Sequence, residues 1–299
     1  MAIVSAEEFV KAARESGYAV GGFNTNNLEW TQAILRAAQA KNAPILIQTS
    51  MGAGKYMGGY KTAYNLIVNL VESMNITVPV AIHLDHGHYD DALECIEVGY
   101  TSIMFDGSHL SIEENLEKTR EVVKLAHAKG ISVEAEVGTI GGEEDGIVGR
   151  GELAPIEDAV AMVKTGIDFL AAGIGNIHGP YPENWEGLDL DHLKKLNEAV
   201  TEANGGEAFP IVLHGGSGIP DDQIRAAIKL GVAKVNVNTE SQIAFSNATR
   251  EFAREYDANE AEYFKKKLFD PRKFLKSGID AVQGAVEERI DVFGSEGKA

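Results

Sequence analysis

The stretch YAVGGFNTNNLEWTQAILRAAQAKNAPILIQTS, from Tyr18 to Ser50, contains two short apolar segments separated by a longer amphipathic one. Tyr18 to Phe23 and Ile45 to Thr49 have the length and apolar character of buried strands, and Leu28 to Lys41 has helical spacing. A strand, a helix and a second strand in this order are typical of a parallel βαβ unit.

The same alternation continues along the chain. Further strands are predicted at Val80 to Leu84, Ser102 to Phe105, Ser132 to Val137, Phe169 to Ala172, Ile211 to His214 and Ala233 to Val237. Further helices are predicted at Thr62 to Met74, Ile112 to Lys129, Pro155 to Thr165, Leu190 to Ala203 and Asp221 to Leu230, and Gly130 and Gly231 are placed as helix stops. Eight strands followed by helices predict an α/β fold, a (β/α)8 TIM barrel. An open doubly wound sheet shares the alternation, but no GxGxxG follows the first strand.

The chain continues beyond the last predicted strand for about sixty residues without another strand signal. We predict a C-terminal helical extension over about 240–299, in which Asn259 to Phe274 is polar and Lys-rich, within a single domain of residues 1–299. A solvated helical tail is the alternative. Two glycine-rich stretches, Met51 to Tyr60 and Gly138 to Leu153, are predicted to be long loops.

The charge balance excludes several classes of partner. Lys and Arg number 27 and Asp and Glu 45, which gives a net charge of −18 and a pI near 4.9. This field repels nucleic-acid backbones and anionic membranes. No apolar stretch reaches the roughly 20 residues that span a bilayer, and the first residues do not resemble a signal peptide. With Cys95 as the one cysteine, we expect a cytoplasmic protein.

Histidines follow three of the predicted strands. AIHLDHG carries His83, Asp85 and His86, GIGNIHGP carries His178, and VLHGGSG carries His214. The carboxyl ends of barrel strands form the catalytic face, and three imidazoles with an open fourth position are typical of a catalytic zinc site. A lone histidine at such a place is more often a hydrogen-bonded core residue. The remaining histidines, His88, His109, His127 and His192, are expected to be surface or capping residues.

Acidic residues lie on neighbouring strands. Glu134 and Glu136 in VEAEVG are two residues apart and share a face, and Asp106 ends the fourth strand in IMFDGS. A carboxylate inside a barrel needs a metal or a basic partner. Pairing with Lys or Arg at the barrel rim is the alternative.

Two anion-binding patterns follow the last two strands. HGGSG, residues 214–218, and NVNT, residues 236–239, each lead into a helix. Glycine-rich loops with helix N-termini at these positions of a barrel are typical of phosphate sites. Local backbone N–H groups allow an acidic protein to bind an anion.

These motifs resemble those of the class II, metal-dependent fructose-bisphosphate aldolases of the bacterial type. The matching stretches include YAVGGFNTNN, VPVAIHLDHG, VEAEVGTIGGEEDG, GNIHGPY, IVLHGGSGIP, KVNVNTE and FDPRKF, and they run along essentially the whole chain. The resemblance implies a carbon–carbon lyase of glycolysis and gluconeogenesis, which reversibly cleaves fructose 1,6-bisphosphate to dihydroxyacetone phosphate and glyceraldehyde 3-phosphate. It also implies a homodimer or homotetramer.

The resemblance assigns roles to individual residues. It implies that His86, His178 and His214 bind catalytic Zn²⁺, that Asp106 and Glu136 can hold a second divalent metal, that Asp85 is the proton donor, and that Glu144 exchanges the carbon-bound proton of the substrate. A monovalent cation is a further cofactor compatible with it. Substrate contacts are implied for Asn24, Ser50, Gly179, Gly215, Gly216, Ser217, Asn236, Val237, Asn238, Thr239 and, from a neighbouring subunit, Arg272.

Other functions remain open from the sequence. A tagatose-bisphosphate aldolase would share the metal site, although Asn238 is more typical of the fructose type. A barrel metallohydrolase would use the histidines and acids but would leave the phosphate patterns unexplained. A lysine-dependent aldolase would need a desolvated lysine, for which Lys234 is the candidate.

Overall fold

The computed structural model describes residues 2–144, 147–149 and 151–299. Its strands are β1 (Val20–Asn24), β2 (Ile45–Ser50), β3 (Val80–Gly87), β4 (Ser102–Phe105), β5 (Ser132–Val137), β6 (Gly141–Glu144), β7 (Ile147–Gly149), β8 (Phe169–Ala172), β9 (Ile177–His178), β10 (Ile211–Leu213) and β11 (Val232–Val237). Eight of them pair in parallel in the order β1-β2-β3-β4-β5-β8-β10-β11 and close back onto β1. The predicted TIM barrel is therefore confirmed, and all eight predicted strands are present.

The helices are α1 (Glu7–Ser16), α2 (Leu28–Lys41), α3 (Met51–Tyr56), α4 (Tyr60–Ser73), α5 (Tyr89–Val98), α6 (Ile112–His127), α7 (Ile156–Val163), α8 (Leu190–Ala203), α9 (Asp221–Lys229), α10 (Thr239–Ala258), α11 (Glu260–Lys265), α12 (Pro271–Phe274) and α13 (Lys276–Phe293). Several begin at a capping side chain: Asn27 accepts the Trp30 N–H before α2, and Ser111 accepts the Glu114 N–H before α6. Gly130 and Gly231 have positive φ just after α6 and α9, as predicted.

Side chains alternate between the helix layer and the barrel interior along each strand. The amino-terminal end of the interior is apolar, because Leu46, Met104 and Phe169 pack there with Phe9 and Val10 of α1. Polar residues occupy the interior above this cluster. The barrel is thus closed by an apolar plug at one end and polar at the other, where the catalytic face of such barrels lies.

The prediction of a loop at Met51 to Tyr60 is wrong, because residues 51–56 form α3. The Ser50 hydroxyl caps this helix by accepting the Ala53 N–H at 3.3 Å. Gly54 lies against the Tyr60 ring, where an added Cβ would be 2.7 Å from Cε1. The second predicted loop contains β6 and β7, which form a small sheet with β9. The sequence pattern did not reveal these strands.

The C-terminal extension is helical, as predicted. Its last helix, α13, buries Val282, Val286 and Ile290 and packs against α2 and α10. The last helix therefore returns to the barrel, whereas α11 and α12, within the predicted polar stretch Asn259 to Phe274, bury no residue. Among the described residues, no helix combines the length and apolarity that a membrane span requires.

Candidate active site

A bulge at the end of β3 brings two consecutive polar residues to the mouth of the barrel. The pairing of β3 with β4 shifts between Leu84 and Gly87, and His86 has a left-handed backbone with φ 48°. Asp85 keeps the inward direction that His83 has two residues earlier. The bulge turns His86 inward as well, as expected where the chain leaves the strand.

The three predicted metal-binding histidines converge. His86, His178 and His214 each offer a ring nitrogen, and these three atoms lie within 4.8 Å of one another. His86 Nε2 is 2.8 Å from His214 Nδ1, and the ring centroids of His86 and His178 are 4.9 Å apart. The side chains come from β3, from β9 and from the residue after β10, so the barrel closure brings them together.

Asp106 and Glu136 form a second cluster with His86, again with ligand atoms within 4.8 Å. Asp106 Oδ2 lies 2.8 Å from His86 Nδ1, and Glu136 Oε2 lies 3.7 Å from it. Burial alone would raise the pKa of Asp106, but the hydrogen bond from His86 lowers it below its ordinary value. Burial and the neighbouring charge of Asp106 raise the pKa of Glu136. The three groups are strongly coupled electrostatically.

Asp85 is almost completely buried, and amide donors hold both of its carboxylate oxygens. Asn24 Nδ2 donates to Oδ2 at 2.8 Å, and Asn236 Nδ2 donates to Oδ1 at 3.1 Å. Gln48 Nε2 donates in turn to Asn24 Oδ1 at 3.1 Å, which fixes the orientation of that amide. The carboxylate is therefore held in one position inside the cavity.

A cavity of about 150 Å³ opens beside the histidines. Ten of the predicted site residues line it: Asn24, Asp85, His178, Gly179, His214, Gly215, Ser217, Asn236, Asn238 and Thr239. The loop after β10 is tightly packed, since a Cβ at Gly215 (φ 64°) would lie 2.1 Å from the Ile177 carbonyl oxygen. Ser217 Oγ accepts the N–H groups of Asn238 and Glu240 and so joins the two predicted phosphate loops.

Gln242 also lines the cavity and was missed in the sequence. It lies four residues after Asn238, in the first turns of α10, and therefore on the same helix face. That i, i+4 spacing from a predicted site residue is the signal that could have identified it.

The remaining described residues predicted to contact the substrate are not part of the cavity lining. Ser50 caps α3, Gly216 donates its N–H to the Asn236 carbonyl, and Val237 is buried in β11. Arg272 is largely exposed and bonds to Asp270. The side chain of Glu144 lies outside the described part of the structure, but its strand β6 pairs with β9 at Gly142 and His178.

His127, His192 and Lys234 have structural partners outside the predicted metal cluster. His88 is the residue before α5, His127 bonds to Asp168 at 2.9 Å, and His192 bonds to the Ala154 carbonyl at 2.8 Å. Lys234 is completely buried, and its Nζ lies 2.7 Å from Glu134 Oε2. The cavity lining, in the part of the chain that is described, does not include Lys234, so this geometry does not support a Schiff-base lysine.

The donor set fits a divalent metal. The three imidazoles are the ligands that Zn²⁺ prefers, and they have carboxylates close by. Glu136 Oε2 is buried and has no hydrogen-bond partner among the described residues, as expected for an oxygen directed at a cation.

The chain is similar to known aldolases over its full length. The family profile described as "Fructose-bisphosphate aldolase class-II" matches residues 4–298. The chain is 83% identical over 299 residues to the fructose-bisphosphate aldolase of Streptococcus pneumoniae serotype 4, with 100% of both chains covered. It is 50% identical to the fructose-bisphosphate aldolase of Ureaplasma parvum serovar 3, with 99% of this chain and 98% of the relative covered.

Solved structures of aldolases are also similar to this chain over nearly its whole length. The fructose-bisphosphate aldolase of Campylobacter jejuni aligns with a TM-score of 0.82 at 25% identity, over 99% of this chain and 97% of that chain. The YdjI aldolase of Escherichia coli K12 aligns with a TM-score of 0.80 at 29% identity, over 99% of both chains.

Proposed function

This chain belongs to the class-II fructose-bisphosphate aldolase family, and from that premise we propose that it reversibly cleaves fructose 1,6-bisphosphate to dihydroxyacetone phosphate and glyceraldehyde 3-phosphate, using Zn²⁺. The observation that carries the proposal is the convergence of His86, His178 and His214 with Asp85 beside two phosphate-type loops. A metal held by these imidazoles would act as a Lewis acid on the ketose oxygens and stabilise the negative charge that develops during cleavage.

Asp85 is proposed to move the hydroxyl proton. In cleavage its carboxylate takes the proton from the C4 hydroxyl, and in synthesis it returns that proton to the new alkoxide. The amide donors of Asn24 and Asn236 fix the position of the carboxylate. The site therefore contains a positioned acid–base group.

The loops after β10 and β11 are proposed to bind a substrate phosphate. Gly179, Gly215 and Ser217 face the cavity together with Thr239 at the start of α10. Glycines let the backbone N–H groups come close to a bound anion, and the N-terminus of a helix attracts negative charge. Asp106 and Glu136 are proposed as the site of a second divalent metal.

Glu144 is proposed to exchange the carbon-bound proton of dihydroxyacetone phosphate. What supports this is the backbone of β6, in which Gly142, two residues before Glu144, pairs with His178 of β9. We also propose that the enzyme works in glycolysis in the cytoplasm as a homo-oligomer. The identity with a fructose-bisphosphate aldolase over the whole chain supports the aldolase reaction on which these proposals rest.

The test measures triose phosphate release from fructose 1,6-bisphosphate in a coupled NADH assay, before and after EDTA treatment and after Zn²⁺ restoration. Tagatose 1,6-bisphosphate runs in parallel. Activity should disappear with EDTA, return with Zn²⁺ and show a higher kcat/KM for the fructose sugar. Activity that survives EDTA, together with borohydride trapping on Lys234, would overturn the metal mechanism. A higher kcat/KM for tagatose 1,6-bisphosphate would reassign the substrate.

A further inference from the structure

The barrel interior contains a layer of ionisable and polar side chains. It lies between the apolar plug and the proposed metal-binding histidines, His86, His178 and His214. His83, Ser102, Glu134, Lys234 and His214 have no exposed surface. They come from β3, β4, β5 and β11 and from the end of β10. The catalytic steps proposed above do not use His83, Ser102, Glu134 or Lys234. A buried ion pair is seldom more stabilising than apolar residues of the same size, so stability alone gives little reason for this layer.

Glu134 lies at the centre of the layer. Its Oε1 is 2.7 Å from His214 Nε2, and its Oε2 is 2.7 Å from Lys234 Nζ. Lys234 Nζ also lies 3.4 Å from His83 Nε2, and His83 Nδ1 lies 2.8 Å from Ser102 Oγ. These contacts form a continuous chain from Ser102 of β4 to His214.

The contact with Glu134 determines which nitrogen of His214 faces the cluster. A carboxylate accepts hydrogen bonds, so the proton of a neutral His214 ring lies on Nε2. The Nδ1 lone pair then points to the side where His86 Nε2 lies 2.8 Å away. Metal-ligating histidines commonly donate their second N–H to a carboxylate, which fixes both tautomer and ring orientation.

We propose that Glu134 and Lys234 act together as positioning residues that hold His214 with Nδ1 presented to the metal. Glu134 orients the imidazole, and Lys234 compensates the buried carboxylate. His83, which contacts Ser102 through its other ring nitrogen, holds the ammonium group from the other side. Burial and the charge of Lys234 lower the pKa of His83 well below its ordinary value, which agrees with a neutral ring that accepts from Lys234. The inference rests on the proposed metal site but not on the identity of the sugar.

The test compares Glu134→Gln, Lys234→Met and the double variant that carries both substitutions. Each protein is measured for its Zn²⁺ Kd by competition with a chelator and for the Tm of its metal-free form. Either single substitution leaves one charge buried without compensation, so we expect the Zn²⁺ Kd to rise at least tenfold. In the double variant the new amide oxygen at position 134 can still accept from His214, so its Kd should lie closer to that of the wild type than either single variant does.

A second pair of variants separates positioning from packing. The double variant with Glu134→Leu and Lys234→Met is as neutral as the one with Glu134→Gln but offers no acceptor to His214. We expect it to bind Zn²⁺ at least tenfold more weakly. This comparison also decides the question if a single variant does not fold.

The inference would be overturned by equal Zn²⁺ Kd values for the two double variants, or by single variants that lower Tm while their Kd stays within twofold of the wild type. If the wild type binds Zn²⁺ and the variants weaken that binding as expected, but the wild type cleaves no sugar, the proposed function would be wrong and the inference would stand.

Discussion

Backbone geometry at single residues explains how the site is assembled. His86 adopts a left-handed conformation that non-glycine residues seldom use, beside a bulge in β3. Strands alternate their side chains, so a regular strand would direct His86 away from Asp85. The sequence could predict that His83 and Asp85 share a face. It could not predict the bulge, because the bulge depends on the pairing with β4.

Substitution of Asp85 should remove proton transfer without removing the metal. We expect Asp85→Ala to lower kcat by about 10²- to 10⁴-fold, the usual contribution of a positioned acid–base group. The Zn²⁺ content, measured by elemental analysis, should stay at the wild-type level. Near-normal turnover would remove Asp85 from the mechanism.

Gln242 offers a charge test of the phosphate site. We expect Gln242→Glu to raise the KM for fructose 1,6-bisphosphate about tenfold with kcat little changed, because a carboxylate would face the substrate phosphate across the cavity. An acidic residue near the start of α10 favours the helix, so the effect would not come from unfolding. Asn247→Glu adds the same charge further along α10 and serves as the control. Equal KM values in the two variants would contradict a role for Gln242.

Among the elements, the barrel strands were predictable and the small elements at its mouth were not. Buried parallel strands are continuous apolar runs, which the sequence displays directly. By contrast, α3 has only six residues and two glycines, and it depends on the Ser50 cap and on Tyr60. The strand β6 is glycine-rich and pairs with β7 and with β9. Tertiary contacts create these elements, so local patterns do not reveal them.

Tyr181 joins the two loops that carry His178 and His214. Its hydroxyl accepts the Ile177 N–H at 3.1 Å and donates to the Gly215 carbonyl at 2.9 Å, while its ring packs against Trp185. Tyr181→Phe would leave both backbone groups without this partner, at a cost of about 1 to 3 kcal/mol in the free energy of unfolding. We expect KM and the Zn²⁺ Kd to rise together, as kinetics and chelator competition would report. Unchanged values would mean that other contacts hold the loops.

The same hydroxyl predicts a pH dependence. Burial raises the pKa of Tyr181 to about 12, above its ordinary value of 10.0. The folded protein retains the hydroxyl proton of Tyr181 more strongly than the unfolded chain does. The contribution of this hydroxyl to the free energy of unfolding is therefore complete below about pH 10 and is lost as the pH rises towards about 12. Urea unfolding should therefore show that the stability advantage of wild type over Tyr181→Phe is constant up to about pH 10 and shrinks above it. An advantage that grows with pH would contradict the sign.

Across the whole molecule, the net charge of −18 coexists with a site proposed to bind two phosphates. Local N–H groups and a helix N-terminus can bind one phosphate against this field. Among the described residues, the cavity lining includes no Lys or Arg that would bind the second phosphate. Arg272 is 87% exposed on the C-terminal extension, and the same extension carries Phe264 and Phe269, which are 64% and 52% exposed. Exposed aromatic residues are typical of a protein contact, and we propose that a second copy of the chain receives Arg272.

Mixing two impaired variants tests whether Arg272 acts in a neighbouring subunit. Arg272→Ala and Asp85→Ala should each have low kcat/KM alone. If each site takes Asp85 from one chain and Arg272 from the other, a mixed dimer contains one intact site. Random exchange of equal amounts makes about half of the dimers mixed, so about a quarter of wild-type activity should return. If Arg272 served its own chain, no mixed site would be intact and activity would stay at the average of the two variants. An Arg272→Ala protein with wild-type kcat/KM would exclude the residue altogether, because then neither arrangement requires its charge.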